Sequence, residues 1–186
     1  HHLSHAASAF YTSSFEQAVI VTIDGVGEWS TASICLGQAN KIKLVKEMRF
    51  PHSVGLLYSS FTYFLGFRVN SGEYKLMGLA PYADPRSGQV EQFVKKVKEN
   101  MLDIKDDGSI WLNKVFFSYA TGLRMIKEER WEKLFGFRRR KPESTIKQHH
   151  CDLALAIQLI TEDIMKKMAH HAQTYAENPI QSKYLC

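Results

Sequence analysis

Apolar residues run almost without a break from Ala18 to Ile23 and give way at Asp24-Gly25, the pattern of a strand buried on both faces. The segment before it, beginning His1-His2-Leu3-Ser4-His5, reads as a helix start. Residues 30–37 form a second strand after a Gly25-Val26-Gly27-Glu28 turn. Residues 41–50 alternate: Ile42, Leu44, Met48 and Phe50 oppose Lys41, Lys43, Glu47 and Arg49, so this third strand is expected to keep one wet face. Gln38-Ala39-Asn40 is a tight connection, and the three strands make an antiparallel meander.

Helical spacing takes over at Pro51-His52-Ser53, with Ser53 as N-cap. Leu57, Phe61, Phe64 and Leu65 form the buried stripe, widened by Tyr58 and Tyr63. Asn70-Ser71-Gly72 introduces a short helix through Leu79, which Pro81 ends. A charged helix over about 87–100 and a hairpin around Asp106-Asp107-Gly108 follow. The last long helix is expected from Asp152 to Tyr175 and buries Leu153, Ile157, Ile160, Ile164 and Met168. Asp152 falls near its N-terminus, where the dipole favours an anion. Ser182–Cys186 looks like the beginning of another strand. This order predicts an α/β fold, a ribonuclease-H-like half of an actin-like ATPase fold: a three-stranded antiparallel meander with packed helices, truncated at both ends. The expected organisation is one partial domain, 1–186, with a variable basic insertion at about 83–145.

At 186 residues the chain is long enough for a proper core. No apolar run approaches the roughly 20 residues that cross a bilayer, so no membrane role is expected. Cys35, Cys151 and Cys186 are odd in number and never spaced Cys-x-x-Cys. That pattern argues against both a zinc ribbon and a disulfide framework and for a reducing compartment, with the cytoplasm as the default. The net charge of +5 is carried by the second half of the chain, concentrated around Arg138-Arg139-Arg140-Lys141. Such a run within 124–150 could bind nucleic acid. No aromatic interleaving accompanies it, and a solvated connecting loop is the favoured reading.

The candidate chemistry lies at the start. His1 and His5 are four residues apart, close to one helical turn, so both rings can face one side. Asp24 closes the buried strand at the mouth of a glycine-rich segment. Two imidazoles and a carboxylate are a frequent catalytic set for zinc or ferrous iron. The same residues admit three other readings: a purification-tag remnant, an exposed helix start whose histidines bind nothing, and an Asp24 that only caps a turn. Gly25 and Gly27 would let backbone approach phosphate oxygens, with Ser30 and Thr31 as hydroxyl donors, although a tight strand connection explains the glycines as well. Lys75 could neutralise phosphate and Glu73 orient a ligand, or the two could be an exposed helix pair.

Four motifs occurring in order resemble a known family. His1-His2-Leu3-Ser4-His5-Ala6-Ala7-Ser8-Ala9-Phe10, Ile23-Asp24-Gly25-Val26-Gly27-Glu28, Phe50-Pro51-His52-Ser53-Val54-Gly55-Leu56-Leu57-Tyr58 and Asn70-Ser71-Gly72-Glu73-Tyr74-Lys75-Leu76-Met77-Gly78-Leu79-Ala80-Pro81-Tyr82 are similar to O-carbamoyltransferases of the NodU and CmcH type. The resemblance is dense through residue 82, thins across 83–145 and returns in the last helix. It implies transfer of a carbamoyl group from carbamoyl phosphate, through a carbamoyl-adenylate made with ATP, to a hydroxyl of a small molecule or sugar. It also implies kinship with the tRNA threonylcarbamoyl-transferase subunit. On this resemblance a divalent metal, iron before zinc, is held by His1, His5 and Asp24, with His2 in a supporting or structural place. The family's preceding half-domain, its later glycine-rich motif with a further aspartate, and its C-terminal adenylate-forming domain have no counterpart in these residues. The 186 residues alone are therefore expected to be inactive. A tRNA threonylcarbamoyl-transferase-like protein and a non-catalytic binding module using 124–150 remain the alternatives, and a nucleic-acid partner is not expected.

Overall fold

The unbroken apolar run becomes β1 (Gln17–Gly27), which pairs with β2 (Ser30–Gln38), which pairs with β3 (Lys41–Arg49), both antiparallel and in that order. These assignments come from a computed structural model that describes residues 1–177; the strand expected at 182–186, and Cys186, lie outside the described residues. The expected meander is present, with one correction. Gly25-Val26-Gly27 is not a turn: β1 continues through it, with its register broken between Ile23 and Gly27, and the chain reverses only at Glu28-Trp29. Asp24 therefore stands inside a strand, where the ladder is irregular.

The described residues gather into two compact units: His1–Gly55 with Ile104–Ile110 and the described residues from Asp163 on, and Leu56–Asp103 with Trp111–Glu162. In the first unit both faces of the sheet are covered, which is why β1 and β2 carry almost no charge and bury the hydroxyls of Thr22, Thr31 and Ser33 in hydrogen bonds. On one face, α1 (His2–Tyr11) packs Ala6 and Phe10 against Ala18, Ile20 and Cys35. On the other, Val19 and Ile34 pack against Ala172 at the end of α6 (Gln148–Glu177). Side chains of the size of Phe10 and Ile20, almost wholly buried, contribute about 1.5–3 kcal/mol each.

The expected alternation along β3 fails halfway. Leu44 pairs with Cys35 and Lys46 with Ile34, so Val45 is an extra residue without a partner. A one-residue bulge exchanges the two faces for everything beyond it. Glu47 and Arg49 consequently share a face with Ile42 and Leu44, and Lys46 and Met48 turn to the other. There Lys46 forms an ion pair with Asp107 in the 105–109 turn, and its Nζ lies 3.3 Å from His171 Nε2. Burial raises the Asp107 carboxyl, but Lys46 and Ser109 outweigh that and hold it well below the usual carboxylate range.

The second unit contains most of α2 (Val54–Phe64), α3 (Glu73–Leu79) followed by a 3-10 turn (Ala80–Tyr82), α4 (Gln89–Asn100) and α5 (Glu128–Phe135). As expected, α3 ends at Leu79, and Pro81 lies within the turn that follows. The stripe expected on α2 is correct: Leu57, Phe61, Phe64 and Leu65 are all fully buried. Phe61 and Phe64 stack with Trp131 and Phe135 of α5, at centroid distances of 4.7 and 5.2 Å to Trp131. Sequence reasoning did not find α5, because eight residues with five charges carry little apolar signal. The hairpin expected around Asp107 is present as β4 (Leu102–Ile104) and β5 (Ile110–Leu112).

The basic run is a further correction. Its solvated-loop reading holds for Arg138 and Lys141 but not for Arg139 and Arg140. Arg140 is buried. Its Nε donates to the Leu65 carbonyl at 2.6 Å, its Nη1 to the Ser144 carbonyl at 2.5 Å, and its backbone N–H to the Phe64 carbonyl at 3.0 Å. Arg139 lies over the Tyr63 ring and pairs with Glu128 at 3.3 Å. The last carbonyls of a helix have no partner within it, and two cations at that end also match its dipole. The run closes the C-terminus of α2.

α6 begins at Gln148, four residues earlier than expected. The Lys147 backbone N–H donates to His150 Nδ1 at 2.9 Å, a side chain in the first turn reaching back to the helix start. Asp152 is fully buried and accepts from the Asp84 N–H and from Gln148 Nε2, both at 2.9 Å. It holds the loop after the 3-10 turn as well as facing the helix dipole.

Candidate metal centre

His1 is the N-cap of α1, and the His5 N–H closes the first helical turn on the His1 carbonyl at 3.0 Å. That turn brings the two imidazoles edge to face, 4.6 Å between centroids. Asp24 reaches them from β1. His1 Nε2 lies 2.5 Å from Asp24 Oδ2, His5 Nε2 lies 3.0 Å from His1 Nε2, and His5 Nε2 lies 3.7 Å from Asp24 Oδ2. Three donor atoms, one from each residue, thus fall within 4.8 Å of one another. The other carboxylate oxygen, Oδ1, accepts from the Gly25 N–H at 2.6 Å, which orients the group.

With His5 as a donor, hydrogen bonding to neutral His1 leaves a conflict in this cluster. Neutral His1 with its proton on Nε2 can donate to Asp24, but then has no lone pair for His5. With its proton on Nδ1 it can accept from His5, but then sets a lone pair against a carboxylate oxygen. A cation between the three atoms removes the conflict. Ligand atoms about 2.0–2.2 Å from a zinc-like ion are the usual geometry, and the side chains are only partly exposed, between 34 and 55%. The donor set fits a divalent metal.

Three features hold the cluster in place. His2, between the two candidate ligands, is buried; its Nε2–H donates to the Ser30 carbonyl at 2.9 Å, so its Nδ1 accepts from the Thr22 hydroxyl at 2.5 Å. Thr22 Oγ1 lies 2.7 Å from Ser33 Oγ, continuing the chain of hydroxyls under the helix. Gly27 has no side chain, and the histidines use the room: a Cβ there would lie 2.2 Å from His1 Cδ2 and 2.8 Å from His2 Cδ2. Ser53 donates to the Gly25 carbonyl at 2.6 Å, while a Cβ on Gly55 would lie 2.6 Å from Gly25 Cα. The start of α2 is therefore pressed against the backbone that carries Asp24.

Among the residues expected from sequence, His1, His5 and Asp24 come together, with Gly25 and Gly27 beside them as packing positions. The Ser30 hydroxyl donates to Glu47. Thr31 is fully buried and its hydroxyl donates to the His52 carbonyl at 2.5 Å, so it does not face a ligand. Lys75 lies on the exposed side of α3, in the second unit. Glu73 accepts from Ser59 and from the Asn70 and Gly72 N–H groups at 2.8–3.1 Å, which places it in its own loop. Burial raises its carboxyl, but these donors together hold it below the ordinary range.

A cleft of about 670 Å³ opens from His1 and His2 along the sheet face. Its walls include Trp29, Ser30, Ile42, Leu44, Glu47 and Arg49. Sequence reasoning missed Trp29, Glu47 and Arg49 as site residues, and the alternation of β3 assigned the last two to the opposite face. The bulge that brings them here leaves no periodic signal.

Residues 1–186 match the family model described as carbamoyltransferase N-terminus, and the chain belongs to that family. An uncharacterized protein of Synechocystis sp. is 49% identical over 170 residues, 91% of this chain and 26% of that protein. Nodulation protein NolNO of Sinorhizobium fredii is 34% identical over 176 residues, 93% of this chain and 23% of that protein. Nodulation protein NolO of Bradyrhizobium diazoefficiens is 40% identical over 85 residues, 46% of this chain and 15% of that protein. The chain thus spans about a quarter of the length of the first two relatives.

Proposed function

We propose that this chain is the metal-holding part of an ATP-dependent O-carbamoyltransferase, in which His1, His5 and Asp24 bind one divalent ion, iron before zinc. Family membership supports the reaction class. The observation that carries the site is the convergence of three donor atoms, two imidazole nitrogens and a carboxylate oxygen, within 4.8 Å of one another. The antiparallel meander with a helix against each face supports reading the fold as a ribonuclease-H-like half of an actin-like ATPase. Bound there, a divalent ion would supply a positive centre able to polarise a carbonyl or hold a phosphoryl oxygen. The chain's own residues do the positioning. His2 and Gly27 seat the first turn of α1, and Gly25 and Ser53 aim Asp24. Carbamoyl phosphate, a carbamoyl-adenylate and a hydroxyl acceptor are the reactants we assign to the whole protein. The missing half-domain and the adenylate-forming domain are its intramolecular partners.

The isolated 186 residues bind metal in this reading but do not transfer carbamoyl groups. Buried free thiols at Cys35 and Cys151 support a reducing cytoplasm, and among the described residues no helix is long and apolar enough to cross a membrane. The nucleic-acid readings have less support, because Arg139 and Arg140 are engaged at the end of α2. Calorimetric titration with zinc, and anaerobically with ferrous iron, tests the site. The chain should bind one ion, and His5→Ala and Asp24→Ala should each weaken binding by at least about tenfold. Equal binding by all three proteins would refute the assignment.

A further inference from the structure

In the second unit, the segment from Glu73 to Tyr82 is fixed from within and bare outside. Leu76, Leu79 and Ala80 are buried. Glu73 ties the start of α3 to Ser59 of α2. At the other end Gln148 Nε2 donates to the Tyr82 carbonyl at 3.0 Å, and the fully buried Asp152 carboxylate accepts from the Asp84 N–H. Burying a carboxylate is costly unless it is well bonded, so a buried charge is committed to holding this short piece of chain. Its outward side stays open: Tyr74, Met77 and Tyr82 are 64, 55 and 73% exposed. They fall on one side at helical spacing, with Gly78 between them. A helical glycine weakens its helix. Gly27 and Gly55 leave room for neighbouring atoms, but a Cβ on Gly78 would meet no atom within 4 Å. Nothing in this chain calls for a glycine there.

We infer that Tyr74, Lys75, Met77, Gly78 and Tyr82 form a docking surface, and that its occupant is a segment of the same polypeptide lying outside these residues. The inference rests on the function proposed above in treating the chain as part of a longer protein, and the chain spans 26 and 23% of two relatives matched over most of its length. Tyrosine and methionine are enriched where proteins meet, and an apolar patch left bare marks such a meeting place. Glycine at its centre lets a second backbone come close, which identifies the occupant as polypeptide. An outward helix face is convex and gives a small molecule no enclosure. Glu73, the one acid in the segment, is turned inward to Ser59, so Lys75 sets the charge of the exposed side and calls for a carboxylate opposite. A second copy fits less well, since a two-fold contact about Gly78 would set Lys75 against its own counterpart.

Hydroxyl-radical footprinting read by mass spectrometry tests this, comparing the 186-residue chain with the full-length protein that contains it and scaling both to an added reporter peptide. Tyr74, Met77 and Tyr82 should each oxidise at least about fivefold more slowly in the full-length protein, because a packed contact excludes water. That protection should survive about tenfold dilution, as an intramolecular contact does. Gly78→Leu has open space in this chain and should leave its urea midpoint and zinc affinity unchanged. In the full-length protein the same change should restore oxidation of Tyr74 and Tyr82, and Lys75→Glu, at an exposed position, should do so in part. Equal oxidation in the two proteins would overturn the inference, as would a Gly78→Leu full-length protein as protected as its parent. So would protection that fades on dilution or arises when the 186-residue chain is concentrated, the sign of a second copy, and protection gained only when ATP is added. Zinc titration of the same samples reads His1, His5 and Asp24 in the first unit, so failure of the metal assignment and failure of the docking surface are distinct results.

Discussion

Replacing Arg140 by methionine should destabilise the chain by about 2–4 kcal/mol. The substitution keeps the apolar stem and removes the guanidinium. Two charge-assisted bonds, to the Leu65 and Ser144 carbonyls, are lost; such bonds contribute about 1.5–3 kcal/mol each. The Leu65 carbonyl, at the end of α2 and in a fully buried residue, is left without its cation. Against this stands the recovered cost of burying a guanidinium, a cost visible in the lowered Arg140 pKa, for which desolvation is the first cause. The net therefore falls below the sum of the two bonds. Urea unfolding followed by circular dichroism measures it, with Arg138→Ala as an exposed control expected within about 0.5 kcal/mol of the parent. With a denaturant slope of about 1–3 kcal/mol/M, the Arg140→Met midpoint should drop by roughly 1–2 M. Coincident midpoints for the two variants would show that the run is the solvated loop its composition suggests, and that the helix-closing account is wrong.

Stability should also fall in acid through His150. Burial first, then the charges of His149, Arg140 and Lys147, depress it to about 4. A depressed pKa stabilises the fold above the unfolded value of about 6.5, and that contribution is lost as pH falls toward about 4. His150→Gln, which keeps an acceptor for the Lys147 N–H, should flatten the change in urea midpoint between pH 7 and pH 4.5; an unaltered slope would exclude His150. Gly27→Ala should weaken zinc binding several-fold and cost about 1–3 kcal/mol, because the buried His2 ring cannot swing aside as easily as His1. Calorimetry showing parental affinity would mean the first turn of α1 is not seated there. Asp107→Asn should remove part of the acid sensitivity below about pH 4, since the Lys46 pair holds the folded carboxyl low and its stabilisation vanishes once that group protonates. Parallel pH profiles for the two proteins would count against it.

The sheet was legible because burial on both faces forces a long apolar run, and Ala18–Ile23 carries that pattern openly. The stripe on α2 was legible for the same reason. Helix α5 was not: its two buried aromatics, Trp131 and Phe135, sit among charges. The arginine run was misread because composition counts cations but does not see which carbonyls lie within reach, and Arg140 meets that of Leu65 across 75 residues of chain. His1, His5 and Asp24 were legible from helical spacing and a strand-borne carboxylate. What places them was hidden, since the roles of Gly27 and His2 depend on contacts between elements. Thr31 looked like Ser30 in sequence, yet only Ser30 lines the cleft.

Val45 carries a consequence for how relatives of this chain should be compared. What faces the cleft from the end of β3 is decided by how many residues precede it, not only by which residues they are. Deleting one residue near position 45 would leave every remaining amino acid unchanged. It would still exchange the surroundings of Lys46, Glu47, Met48 and Arg49, placing a lysine and a methionine where the carboxylate and guanidinium now stand. A relative could therefore keep all the side chains of this strand and present different ones to the cleft through a single gap. Where that gap falls is worth reading before any substitution score.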